Sequence, residues 1–133
     1  MGRKVAPIHG GLEIMQDLNK DAKNYAHVKR IADQIQDGIL REGERDEYDA
    51  DYGDSMMDGF EWLEDALDIE YIIHADGSFK SARVLVAFGG PTIWVDFSRG
   101  RVELWWWGEY ALAQFDEDPM AIEEALQTLW ECK

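Results

Sequence analysis

The chain has 133 residues, 46% apolar and 12% aromatic, enough for one compact domain with its own core and too few for two ordinary ones. Its 28 acids against 13 bases give a formal charge of -15, a field that repels nucleic acid and anionic lipid and attracts basic proteins, so direct binding to DNA or RNA is not expected. The single cysteine, Cys132, excludes a disulfide framework and a cysteine zinc site, and no signal-peptide run or ~20-residue apolar span is present, which leads to the expectation of a cytoplasmic protein away from the membrane.

Residues 1–11, MGRKVAPIHGG, read as a loose start. Apolar residues then recur at gaps of three and four, as Ile14, Leu18, Ala22, Tyr25, Val28, Ala32, Ile35 and Ile39. This spacing predicts an amphipathic helix, broken near Asn19 to Asn24 and stopped at Gly43. Residues 42–54, EGERDEYDADYGD, form an acidic connection. Ser55-Met-Met-Asp58 has the form of a capping box. It opens a second helix with Met56, Phe60, Leu63 and Leu67 on one face and Asp58, Glu61, Asp65 and Asp68 on the other.

From Ile69 the period changes to two. The runs 69–73, 83–88, 92–97 and 101–107 are rich in β-branched and aromatic residues, and ADGS, GGP and SRG between them have turn chemistry. Such short connections imply an antiparallel meander, since parallel neighbours need a long crossover. Residues 109–115, EYALAQF, are the candidate fifth strand. Asp118 and Pro119 supply an N-cap and a proline at the first helical position, and Ile122, Leu126 and Leu129 continue as a helix. The expectation is one α+β domain over 1–133: an antiparallel sheet of four to five strands (about 69–115), with two N-terminal helices and one C-terminal helix packed on it.

Charge is concentrated. Residues 1–41 hold five acids and seven bases, residues 42–70 thirteen acids and one base, and residues 71–133 ten acids and five bases. As a calcium loop the middle segment fails: with Asp49 and Asp51 at the first ligand positions, Gly53 falls where a ligand is wanted, Asp54 where glycine belongs and Phe60 where the bidentate glutamate belongs. A plain solvated connection remains one reading. The other is an imitation of nucleic acid, in which carboxylates replace phosphates and the interleaved tyrosines replace bases against a basic groove. The candidate partner-binding residues are then Asp46, Glu47, Tyr48, Asp49, Asp51, Tyr52, Asp54, Asp58 and Glu61.

Trp105-Trp106-Trp107 is the second conspicuous feature. Strand alternation puts Trp106 with Val102 and Leu104 on the better core face, and Trp105 and Trp107 with Glu103 on the other. That second face is either covered or an exposed aromatic patch suited to a partner or a homodimer, so Trp105 and Trp107 join the candidate contacts. Arg83, Arg99 and Arg101 on or near these strands suit, with the tryptophans, a ligand bearing a ring and a phosphate.

Enzyme signatures are absent from the sequence. His9, His27 and His74 are isolated and form no metal-spaced pair, no serine occupies a nucleophile elbow, Gly89-Gly90-Pro91 lacks the partners of a phosphate loop, and Cys132 has no nearby histidine. No catalytic residue, metal or cofactor is expected.

The segments WLEDALDIEY (62–71), ARVLVAFGGPTIWVD (82–96), VELWWWG (102–108) and ALQTLWEC (125–132) resemble small acidic proteins carried by phages, prophages and other mobile elements of bacteria. The resemblance covers about residues 62–132. It implies a counter-defence factor of the anti-CRISPR or antirestriction kind, acting in the host cell on a nuclease complex and without catalytic residues. Two functional readings follow. One is an inhibitor that occludes a basic nucleic-acid-handling protein as a DNA mimic. The other is an oligomeric sponge that sequesters a small signalling nucleotide through the tryptophans and arginines, with a structural dimerisation module behind both.

Overall fold

The computed structural model describes the backbone of residues 11–41 and 55–133 and the side chains of 22–41 and 55–133. The expected contacts Asp46, Glu47, Tyr48, Asp49, Asp51, Tyr52 and Asp54 lie outside the described residues, as do Gly43 and most of the loose start.

Helix α1 spans Gly11–Asp37 without the expected break. Neither glycine nor proline occurs within 12–37, and asparagines cost a helix only about 0.7 kcal/mol each, too little to interrupt a long amphipathic run. It stops at Gly38, earlier than the expected Gly43, because Gly38 takes φ 87° and returns its N–H to the Gln34 carbonyl at 2.9 Å. Among its described side chains Val28, Ala32 and Ile35 are buried, while Tyr25 is exposed.

After Gly38 the chain becomes extended. Leu40 bridges Met56 in antiparallel fashion, and the Arg41 N–H donates to the Ser55 carbonyl and the Met57 N–H to the Ile39 carbonyl, each at 2.7 Å. Helix α2 follows as Gly59–Leu63. Its capping box lies three residues beyond the expected one: Asp58 accepts from the Glu61 N–H, and Glu61 accepts from the Asp58 N–H. Ser55 is instead buried beside the bridge. With only five residues the helix cannot present the expected apolar face: Leu63 is buried, but Phe60 and Leu67 are 48% and 59% exposed.

Five antiparallel strands follow in chain order as the meander β1-β2-β3-β4-β5. They are β1 (Asp68–Ile73), β2 (Phe79–Ala87), β3 (Thr92–Asp96), β4 (Arg101–Trp106) and β5 (Glu109–Gln114). The registers Val84↔Val95↔Val102↔Ala113 and Ile93↔Leu104↔Ala111 align the buried residues on one face. These residues join those of the three helices named among the described residues in a single core cluster, giving an α+β architecture. Helix α1 lies across β4 and β5, where Ala111 and Ala113 leave room for it, and helix α3 (Ile122–Glu131) packs on β2.

The N-cap of α3 is Ala121 and not the expected Asp118, although the Asp118 carboxylate accepts from the Ile122 and Glu123 N–H groups at 3.0 and 2.9 Å. The helix begins three residues after Pro119, because Ala121 sits in the left-handed region at φ 59°. Its carbonyl meets α2 closely: a Cβ on Gly59 would stand 2.5 Å from the Ala121 oxygen, so only glycine fits there. No helix among the described residues is long and apolar enough to cross a membrane.

Candidate functional site

Arg41, the last described residue before the acidic segment, forms a bidentate pair with Glu61, with Nη2 to Oε1 at 2.6 Å and Nε to Oε2 at 2.9 Å. Together with the bridge between 39–41 and 55–57, this ties the chain on the two sides of residues 42–54 to each other. The Arg41 hydrogen bonds, followed by that from the Asp58 N–H, pull the Glu61 carboxyl down to a pKa of about 2. Two expected contacts thus have local structural partners: Asp58 caps α2, and Glu61 holds both the cap and Arg41. Beyond them Glu64, Asp65, Asp68 and Glu70 are exposed, with Phe60 and Leu67 among them and no lysine or arginine between residues 55 and 70. This is an acidic ridge with apolar side chains in it.

The sheet face opposite the core is a charge ladder. Glu70, Arg83, Asp96, Arg101 and Gln114 face one another in register across all five strands. The Arg83 guanidinium lies 4.2 Å over the Trp94 ring and 3.7 Å from Glu70, Arg101 pairs with Glu103 at 3.0 Å, and Arg99 stands 3.9 Å from Asp96. The strand arginines singled out from the sequence therefore already have charge partners within the sheet, although the buried Nε atoms of Arg83 and Arg101 make no hydrogen bond. Trp105 shares this face, paired with Tyr110 across strands at 5.1 Å between rings. Burial, and then the 2.7 Å hydrogen bond to Glu103, raise the Tyr110 hydroxyl above its ordinary pKa.

Trp107 does not lie on that face with Trp105, as strand alternation suggested. Strand β4 ends at Trp106, and Trp107-Gly108 are the two residues of the β4–β5 turn, with φ 52° and 80°. Positive φ at both positions is what a tight hairpin matching the sheet's twist requires. Asparagine or glycine adopts it readily, and a bulky aromatic residue is strained there by about 1–2 kcal/mol. The Trp107 side chain is 88% exposed, so burial does not offset that strain.

Between this turn and α1 lies a groove of about 700 Å³. Trp106, Trp107 and Pro91 contribute its apolar lining, and Lys23, His27 and Arg30 its basic lining, with Asn24 donating to Glu109 at 2.8 Å within it. Lys23 and Arg30 form no ion pair among the described residues, whereas Lys29 on the same helix pairs with Asp33 at 2.6 Å. Burial, and then the Arg30 charge, lower the His27 pKa, so its imidazole is neutral at pH 7. Sequence reasoning missed this group. Its one local signal is the spacing 23, 27, 30, which aligns three basic side chains along one stripe of a helix.

Among the described residues, no group of three or more His, Cys, Asp or Glu side chains could hold a metal ion. Comparison with protein-family models, with curated proteins and with solved structures gives no match.

Proposed function

We propose that this chain is a non-enzymatic inhibitor that occludes the nucleic-acid groove of a basic bacterial defence nuclease, of the CRISPR or restriction kind, in the host cytoplasm. The observation that carries the reading is the tie formed by Arg41, Glu61 and the bridge at Leu40 and Met56. Through it, the described chain on either side of residues 42–54 meets at one point, beside an acidic ridge. Residues 42–70 hold thirteen acids and one base, a charge density suited to replacing phosphates in a groove of arginines and lysines. Tyr48, Tyr52 and Phe60 supply rings for positions that stack bases. Long-range attraction makes such association fast and sensitive to salt.

The test uses a variant with Asp46→Asn, Glu47→Gln, Asp49→Asn, Asp51→Asn and Asp54→Asn, leaving the capping residues Asp58 and Glu61 intact. Purified CRISPR effector complexes and restriction nucleases are assayed for cleavage of target DNA with each protein. The parent protein is expected to block at least one nuclease, and the neutralised variant to release it with an unchanged melting temperature. A variant that inhibits as well as the parent, or a parent that inhibits no nuclease in the panel, refutes the reading.

A further inference from the structure

We infer that the groove between α1 and the β4–β5 turn is a binding site for a small nucleotide carrying at least two phosphates, held by Trp106 and Trp107 on its ring and by Lys23 and Arg30 on its phosphates. Three observations on different elements converge on this. The first is charge. Lys23, Arg30, Lys80 and Lys133 form no ion pair among the described residues, and two of them, Lys23 and Arg30, line one groove together. Arg83, Arg99 and Arg101, by contrast, have acid partners, which leaves the two α1 cations better placed to take a phosphate beside the tryptophans.

The second observation is the strained turn. A tryptophan in the left-handed region with 88% of its surface exposed contributes nothing evident to the core, and the asparagine that the turn favours would remove the ring from the groove. Residues held in strained backbone regions cluster at active sites and ligand clamps. Trp106, 37% exposed, adds a second indole at the end of the core face. Indoles bind heterocyclic rings by stacking, whatever the base.

The third is size. A volume near 700 Å³ falls in the ~300–1,000 Å³ range of small-molecule sites. Lys23 and Arg30 are seven residues apart, which on an α-helix is about 10 Å along the axis. That spacing matches two phosphates of a nucleoside polyphosphate or a dinucleotide better than a single phosphate. A long nucleic acid is disfavoured by the net charge of -15, which would oppose every phosphate beyond the groove. His27 adds a neutral hydrogen-bonding group between the two cations.

The proposal is independent of the acidic-segment reading. It is tested by calorimetric titration of the full chain with ATP, cyclic di-AMP, AMP, adenosine and inorganic pyrophosphate at up to about 1 mM, which reaches affinities near -4 kcal/mol. Saturable binding of ATP or cyclic di-AMP is expected, about tenfold tighter than AMP. Trp107→Asn, and separately the pair Lys23→Gln with Arg30→Gln, are each expected to weaken it at least about tenfold, the scale of one lost stacking partner or charged contact. Trp107→Asn relieves the backbone, so its melting temperature should rise as binding falls, which a merely unfolded variant cannot reproduce. Three outcomes overturn the proposal: no nucleotide binds, the variants bind as the parent does, or pyrophosphate alone binds as tightly as ATP. Nuclease inhibition by the Lys23→Gln, Arg30→Gln variant, measured in parallel, should remain at the parent level, so failure here leaves the acidic-segment reading standing.

Discussion

The middle of α1 and the chain that follows the helix treat positive charge in opposite ways. Just beyond its C-terminus Arg41 is drawn into a bidentate pair that ties the chain before residue 42 to the chain after residue 54. Along its middle, Lys23 and Arg30 face a groove and form no ion pair among the described residues, although Glu109 lines the same groove. The lesson is that net charge describes the field around a protein and says little about what any one cation does. A chain of -15 still holds a local site of the other sign.

The comparison breaks most forcefully at Gly59. Gly59→Ala drives a Cβ into the Ala121 carbonyl, a backbone atom with little freedom to retreat. We expect about 3 kcal/mol of destabilisation by denaturant unfolding, with α2 displaced and groove binding retained in the folded fraction. If the loss is under ~0.5 kcal/mol, α2 is not seated on α3 as described.

Trp107→Asn acts in the other direction. Removing a left-handed aromatic residue should stabilise the protein by about 1 kcal/mol, or roughly 4 °C in melting temperature. A lowered melting temperature would mean that the exposed ring packs on something that holds it.

Glu61→Gln sharpens the contrast through pH. The folded Glu61 carboxyl has a pKa near 2 against an ordinary 4.5, so between those values the folded state binds fewer protons than the unfolded one. The stabilisation from the pair is therefore fully present above 4.5 and is lost as pH falls through about 2. The parent should lose this stability on acidification over that window, and Glu61→Gln should lack that component of the pH dependence. Parallel melting curves for the two proteins from pH 5 to about 2 would show that Arg41 does not hold Glu61 as described.

The smallest effect belongs to His27. Its pKa is lowered in the fold from 6.5, so folding favours the neutral imidazole. Its contribution is present above 6.5 and declines as pH drops through the lowered value, and His27→Gln should flatten stability slightly between pH 7 and 5. An unchanged slope would place His27 in water, away from Arg30.

The sheet was largely legible because period-two alternation and glycine-bearing turns are local signals, and β1 to β5 follow from them with ends shifted by a few residues. Helix α2 was misplaced by three residues because Ser55-x-x-Asp58 and Asp58-x-x-Glu61 both spell a capping box, and only tertiary contacts choose between them. Three consecutive tryptophans read as continued strand alternation, and the turn signal lies in Gly108 alone, so the sequence does not reveal that Trp107 belongs to the turn. The groove had no sequence signature as a whole: Asn24 and Glu109, which meet in it, are 85 residues apart.

That separation also bears on the order in which the molecule assembles. Every strand pairs with its neighbour in the chain, and the β4–β5 hairpin closes over two residues, so the sheet can zip up from inexpensive local loops. Helix α1 is the element whose docking on β4 and β5 spans most of the described chain. Substitutions at Val28, Ala32 and Ile35 should therefore accelerate unfolding while barely slowing refolding, the mark of contacts made after the transition state. The groove comes into being with that late docking, and an occupant of it would act as a latch on the helix that arrives last.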